Sequence, residues 1–152
     1  MKILSLFALF LVSQTILAVE LVNSELGVLQ QDAAVGYVFD VTVRTEQELD
    51  VILERAEQLQ KLFDPQQHGR IAIVLHGEEL ELFQKNGQFY NSAIVDKARL
   101  LDSKMVIDIK ACQTRMRSLD IGEDELPDFI EQVPLAPVEI RRLVEQQDFT
   151  QL

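Results

Sequence analysis

Ile71-Ala72-Ile73-Val74-Leu75-His76-Gly77 is the stretch that decides the fold. Five consecutive apolar residues suit a strand covered on both faces of a parallel sheet, because a half-exposed strand would alternate apolar with polar side chains. His76 and Gly77 fall just past its end. Upstream, Tyr37, Phe39, Val41 and Val43 alternate with Val38, Asp40 and Thr42, a period of two that predicts a strand from Gly36 to Val43. Thr45 and Glu48 then make a capping box, and Leu49, Ile52, Leu53, Ala56, Leu59, Leu62 and Phe63 recur at spacings of three and four. That pattern predicts a helix stopped by Asp64-Pro65.

Downstream, Leu80, Leu82 and Phe83 predict a short helix, Asn86-Gly87 a turn, and Ile94, Val95, Ala98 and Leu101 a second helix opening after Asn91. Lys104 to Ala111 reads as the next strand, with Cys112 at its carboxyl end and a helix beginning in Gln113 to Leu119. Phe129 to Val133 reads as a short fourth strand. Pro137 opens a helix carrying Ile140, Leu143 and Val144, and Phe149 to Leu152 adds a last strand. Strands alternating with helices at these lengths predict one α/β domain over residues 34–152, a three-layer α/β/α fold with a mainly parallel sheet of four to five strands.

The N-terminus has a different character. Lys2, an uncharged run from Ile3 to Val19, and Ala18 as a cleavage residue predict an export signal over residues 1–18, which makes the mature protein periplasmic or secreted. An uncleaved membrane anchor is the alternative, because the run approaches the roughly 20 residues that span a bilayer and Ile16 is bulky for its position near the cut. Residues 19–33 lack a clear period and read as a linker or N-terminal arm.

The 152 residues carry 14 basic and 25 acidic side chains, a net charge of −11. Cleavage after Ala18 removes Lys2 alone among them, leaving 13 basic against 25 acidic and a net charge of −12. Such a surface repels phosphate backbones and anionic lipid heads, which argues against nucleic acid and against a membrane surface as partners of the cleaved protein.

Cys112 is the sole cysteine, so no internal disulfide forms. Lying between a strand's carboxyl end and a helix N-terminus, with Lys110 and Arg115 close in sequence, it is the candidate catalytic nucleophile, held as a thiolate. The bland reading is a buried thiol acting as a small hydrophobe. Parity speaks against burial: Met105, Ile107, Ile109 and Ala111 share one strand face, whereas Cys112 continues the other with Val106, Asp108 and Lys110. His76 is the second catalytic candidate, able to orient a sulfur species, with a hydrogen-bonded structural histidine as its alternative. Gly77, Lys110 and Arg115 are the accompanying binding candidates.

His68, in the polar turn Gln66-Gln67-His68-Gly69, reads as a solvated loop residue. Two histidines and one cysteine far apart match no metal-ligand spacing, and no metal is expected. A glycine-rich phosphate loop, a G-x-S-x-G elbow and a dinucleotide fingerprint are all missing, so no cofactor is expected either. Glu78, Glu79 and Glu81 read as a solvated helix face, Glu123-Asp124-Glu125 as a charged loop, and Phe89-Tyr90 as a packing anchor.

Ile71-Ala-Ile-Val-Leu-His76-Gly77, a strand ending in Cys112 followed by Leu119-x-Ile121-Gly122, and Val133-Pro134 through Glu139-Ile140-x-x-Leu143 together resemble the DsrE/DsrF sulfur-relay family over roughly Gly36 to Phe149. Departures from the family pattern are Asp102-Ser103 in place of a glycine, Pro134-Leu-Ala-Pro137 in place of Pro-x-Gly, and Asp148-Phe149 in place of Gly-Tyr. The resemblance implies the same three-layer fold, homo-oligomers that are trimers or hexamers, and a cysteine that takes sulfur as a persulfide from a donor protein and passes it to an acceptor. Cys112 matches that cysteine. Two functions are therefore expected to compete: a sulfur carrier or sulfurtransferase using Cys112, and a non-catalytic oligomeric binding or interaction module in which Cys112 packs. For the leader, N-terminal sequencing of the exported fraction is expected to begin at Val19, whereas an intact Met1 in a washed membrane pellet would establish the anchor.

Overall fold

The computed structural model describes residues 35–62 and 69–152. The export segment, the arm over 19–33, the Asp64-Pro65 stop and His68 lie outside the described residues. Ile71–Leu75 is strand β2, with all five residues buried. Strands β1 (Gly36–Val41) and β3 (Ile107–Cys112) flank it, and β4 (Glu131–Val133) and β5 (Phe149–Gln151) complete the order β4-β3-β2-β1-β5. Every pairing is parallel, so the sheet has five parallel strands with Ile71–Leu75 at its centre.

Alternate β2 residues point into different cores. Ile71, Ile73 and Leu75 join Phe39, Val41, Ile107, Ile109 and Ala111 beneath helices α1 (Glu46–Leu62) and α2 (Ser92–Ser103). Ala72 and Val74 join Val38 and Cys112 on the other face, beneath helix α4 (Ala136–Gln147) through Ala136, Ile140 and Leu143. This is the expected three-layer α/β/α fold. Among the described residues no helix is long and apolar enough to cross a membrane.

Local signals set the helix starts. Glu48 N–H donates to Thr45 Oγ1 while Thr45 N–H donates to Glu48 Oε2, the reciprocal pair of a capping box. Asn91 caps α2 by accepting from Ile94 N–H at 3.1 Å, and Pro137 stands in the first turn of α4. The expected strand from Lys104 instead begins at Ile107. Met105 has φ 61°, and Met105 and Val106 N–H close back onto Asp102 and Leu101 carbonyls, a Schellman stop that holds the chain out of the extended region. The short helix after β2 is a 3-10 helix, Glu78–Leu82. Helix α3 (Gln113–Ser118) follows β3 directly.

Ile73 is fully buried at the sheet centre, so Ile73→Ala is expected to cost about 2–5 kcal/mol in a urea titration. Exposed Val51 replaced by alanine should stay within about 0.5 kcal/mol of wild type. Equal losses at the two positions would contradict a doubly covered β2.

Candidate functional site

Ligands of open parallel sheets bind beyond the carboxyl ends of the strands, where loops and helix starts converge. Here that end carries two clefts. One, of about 340 Å³, is lined by Asp40, Pro137, Ile140, Arg141, Val144 and Gln151 among others. The other, of about 310 Å³, is lined by Thr42, Val43, Arg44, His76, Gly77, Glu78 and Arg115. Asp40 joins them: its Oδ1 meets His76 Nε2 at 2.5 Å and its Oδ2 accepts from Gln151 Nε2 at 3.2 Å. A chain of polar contacts thus crosses the ends of β2, β1 and β5, and the carboxylate fixes the orientation of the imidazole.

Of the residues singled out from the sequence, His76, Gly77 and Arg115 line the second cleft together; Cys112 and Lys110 line neither. Because Leu75 pairs with Ala111, His76 and Cys112 leave neighbouring strands at the same level. Their surroundings nevertheless differ. The expected accessibility of Cys112 is not found: the residue is 3% exposed and packs with Val38, Val74, Ala136, Ile140 and Leu143. The strand parity inferred from sequence is correct, but that face is roofed by α4, so leaving the first core does not mean reaching solvent. Cys112 is the N-cap of six-residue α3 and makes no side-chain capping bond.

Lys110 is likewise spent elsewhere. Its buried ammonium bonds Glu131, lies 3.2 Å from Asp108 and 3.6 Å from Glu139. Desolvation pulls its pKa down, yet the Glu131 hydrogen bond and the Asp108 charge outweigh this and hold it above its ordinary value. Its positive charge is balanced by carboxylates rather than offered to the thiol. Arg115 donates to Ser118 Oγ at 3.2 Å and lies 4.0 Å from Glu78.

Glu79 overturns the solvated-face reading of its segment, being 1% exposed. Its carboxylate accepts from Gly77 N–H at 2.7 Å and from Val43 N–H at 3.0 Å, tying the loop after β2 to the loop after β1. Gly77 therefore gives its amide to the protein and not to a ligand. A Cβ at Gly77 would stand 2.9 Å from Thr42 Cα and closer still to the Glu79 carboxylate, so only glycine fits this approach. Burial pushes the Glu79 carboxyl above its ordinary value of 4.5, against hydrogen bonds from Gly77, its own backbone and Val43.

Sequence reasoning missed Asp40, Arg44, Glu79 and Gln151. Asp40 carried a weak signal as the one acid in an apolar strand; Glu79 and Gln151 carried none, because Val43 and Asp40, which they contact, are distant in the chain, and Arg44 reads as an ordinary loop cation. Among the described residues no group of three or more His, Cys, Asp or Glu side chains is arranged to hold a metal ion.

No family model matches the chain, and no curated protein matches it. Among solved structures it is similar to MTH1491, a protein of unknown function from Methanobacterium thermoautotrophicum, with 15% sequence identity and a TM-score of 0.62 over 77% of this chain and 98% of that one. At that identity the likeness establishes the fold alone.

Glu79 predicts a pH dependence. A carboxyl whose pKa is raised on folding contributes most to stability below its unfolded value near 4.5, and that contribution is lost as pH rises through the folded value. The stability of wild type relative to Glu79→Gln should therefore fall between about pH 4 and about pH 7, read by urea unfolding at each. A constant difference would contradict the buried carboxylate.

Proposed function

We propose that the domain is a non-catalytic binding or interaction module whose ligand site lies at the carboxyl end of the sheet, and that Cys112 is a packing residue. The observation carrying this reading is the burial of Cys112 at 3% exposure under α4, where it lines neither cleft. A thiol that takes up sulfur must be approached by the donor along a line open to its Sγ, and the roof of Ala136, Ile140 and Leu143 obstructs that approach. The clefts instead present polar side chains, among which Asp40 contacts both His76 and Gln151. Polar groups in a small concavity suit recognition.

A second reading, sulfur carriage by Cys112 as the DsrE/DsrF resemblance implies, draws support from one feature: Cys112 and His76 end adjacent strands at one level. It requires α4 to lift away. Assembly into a homo-oligomer belongs to either reading, and light scattering of the purified protein tests it.

Thiol chemistry separates the two functions. In the native protein Cys112 is expected to resist a disulfide-exchange reagent, to react fully only in denaturant, and to gain no sulfur-sized mass after incubation with polysulfide or with thiosulfate and a sulfurtransferase. Native labelling as fast as in denaturant, together with a persulfide mass increment lost in Cys112→Ser, would overturn the binding reading in favour of sulfur carriage.

A further inference from the structure

The cleft of about 310 Å³ is lined by two arginines, Arg44 from the loop after β1 and Arg115 from α3. Among the described residues the Arg44 side chain makes no hydrogen bond or ion pair within 4 Å, but its charge helps to lower the pKa of the Glu48 carboxyl, which also accepts from Arg44 N–H. Arg115 is partly satisfied: one terminal nitrogen donates to Ser118 and the other stands 4.0 Å from Glu78, beyond hydrogen-bonding reach, while Nε is buried without any partner. Thr42 lines the same cleft, and His76, whose Nε2 is taken by Asp40, has its second ring nitrogen uncommitted among the described residues.

We propose that this cleft binds a small tetrahedral oxyanion, a phosphate-type group held between Arg44 and Arg115 with Thr42 and His76 at its margin. The proposal rests on the reading of the domain as a binding module and names the chemistry of its ligand. Guanidinium forks match the oxygens of such a group two at a time, in charge-assisted bonds. Donors arriving from three elements suit oxygens spread over a tetrahedron better than a planar carboxylate. The cleft's size limits the ligand to a small one. The acidic surface does not forbid this, because charges farther than about 8 Å are largely screened at physiological salt whereas the two arginines touch the ligand. Glu78, which lines the same cleft, is the internal competitor: an oxyanion would displace its carboxylate from Arg115. The backbone amides of Val43 and Gly77 are already taken by Glu79, so recognition falls to side chains.

Titration of the protein with sodium phosphate, followed by amide NMR shifts and calorimetry against sodium chloride at matched ionic strength, tests it. Saturable one-site binding is expected, with shifts at Arg44, His76 and Arg115. Arg44→Gln and Arg115→Gln should each weaken it about tenfold, the loss of one charge-assisted contact. Glu78→Gln should tighten it, a gain that damage to the fold would not produce. Phenyl phosphate binding more tightly than phosphate identifies an esterified ligand, and the reverse a free oxyanion. No saturable response beyond that to chloride, or unchanged affinity in the exposed Arg44→Gln variant, overturns the oxyanion site. The reactivity of Cys112 is read separately: an inert thiol with no phosphate binding sinks only the ligand assignment, and a reactive thiol with phosphate bound sinks only the non-catalytic reading.

Discussion

Burial of all five β2 residues obliges the chain to cover the sheet on both faces, and the two covers are unequal. One face takes α1, α2 and the 3-10 helix, with large side chains such as Leu49, Leu53, Leu80 and Phe83 fully buried. Among the described residues the other takes only α4, which roofs Val38, Ala72, Val74 and Cys112. A single helix cannot make the whole of that face apolar. Toward β4 the face carries Asp108 and Lys110 instead, and the buried ammonium is tolerated because Glu131, Asp108 and Glu139 surround it.

Closure of the sheet's carboxyl end follows from another buried charge. Glu79 reaches back to the amides of Gly77 and Val43 and so fixes two loops that would otherwise leave unpaired N–H groups beside the core. With both loops pinned, the backbone that carries Arg44 and His76 is set around one cleft, and Gly77 is reserved for the carboxylate that packs against it. Structural closure and the shape of the candidate site therefore have the same cause.

The fold was legible because it rests on periodicity, a property of neighbours along the chain: the apolar run at Ile71–Leu75, the three-and-four spacing after Thr45, and the helix starts marked by Thr45, Asn91 and Pro137 each correspond to an observed element. The site was legible only in part. His76, Gly77 and Arg115 do share a cleft, because the carboxyl ends of parallel strands gather such residues whatever the sequence between them. Glu79 escaped because its decisive partner, Val43, is 36 residues away, and three glutamates in four positions look the same on paper whether one of them turns inward or not. The accessibility expected of Cys112 was not found, for a related reason. Its strand face can be read from parity, but what covers that face is settled by a helix later in the chain.

That same helix links the thiol to the ionic cluster. Glu139 on α4 is tied to Arg142 by two hydrogen bonds and lies near Lys110, and these contacts, Arg142 foremost, hold its carboxyl below the ordinary range even though burial opposes them. One position along, Ile140 belongs to the roof over Cys112. Lifting α4 to expose the sulfur would therefore separate Lys110 from one of its carboxylates while also exposing Ile140 and Leu143 to water. Local openings are drawn from regions with few buried contacts, and α4 is anchored by apolar and ionic contacts at once. An acceptor or donor of sulfur would need to bind the opened form strongly enough to offset both losses, whereas a ligand for the neighbouring cleft meets its arginines with the helix in position.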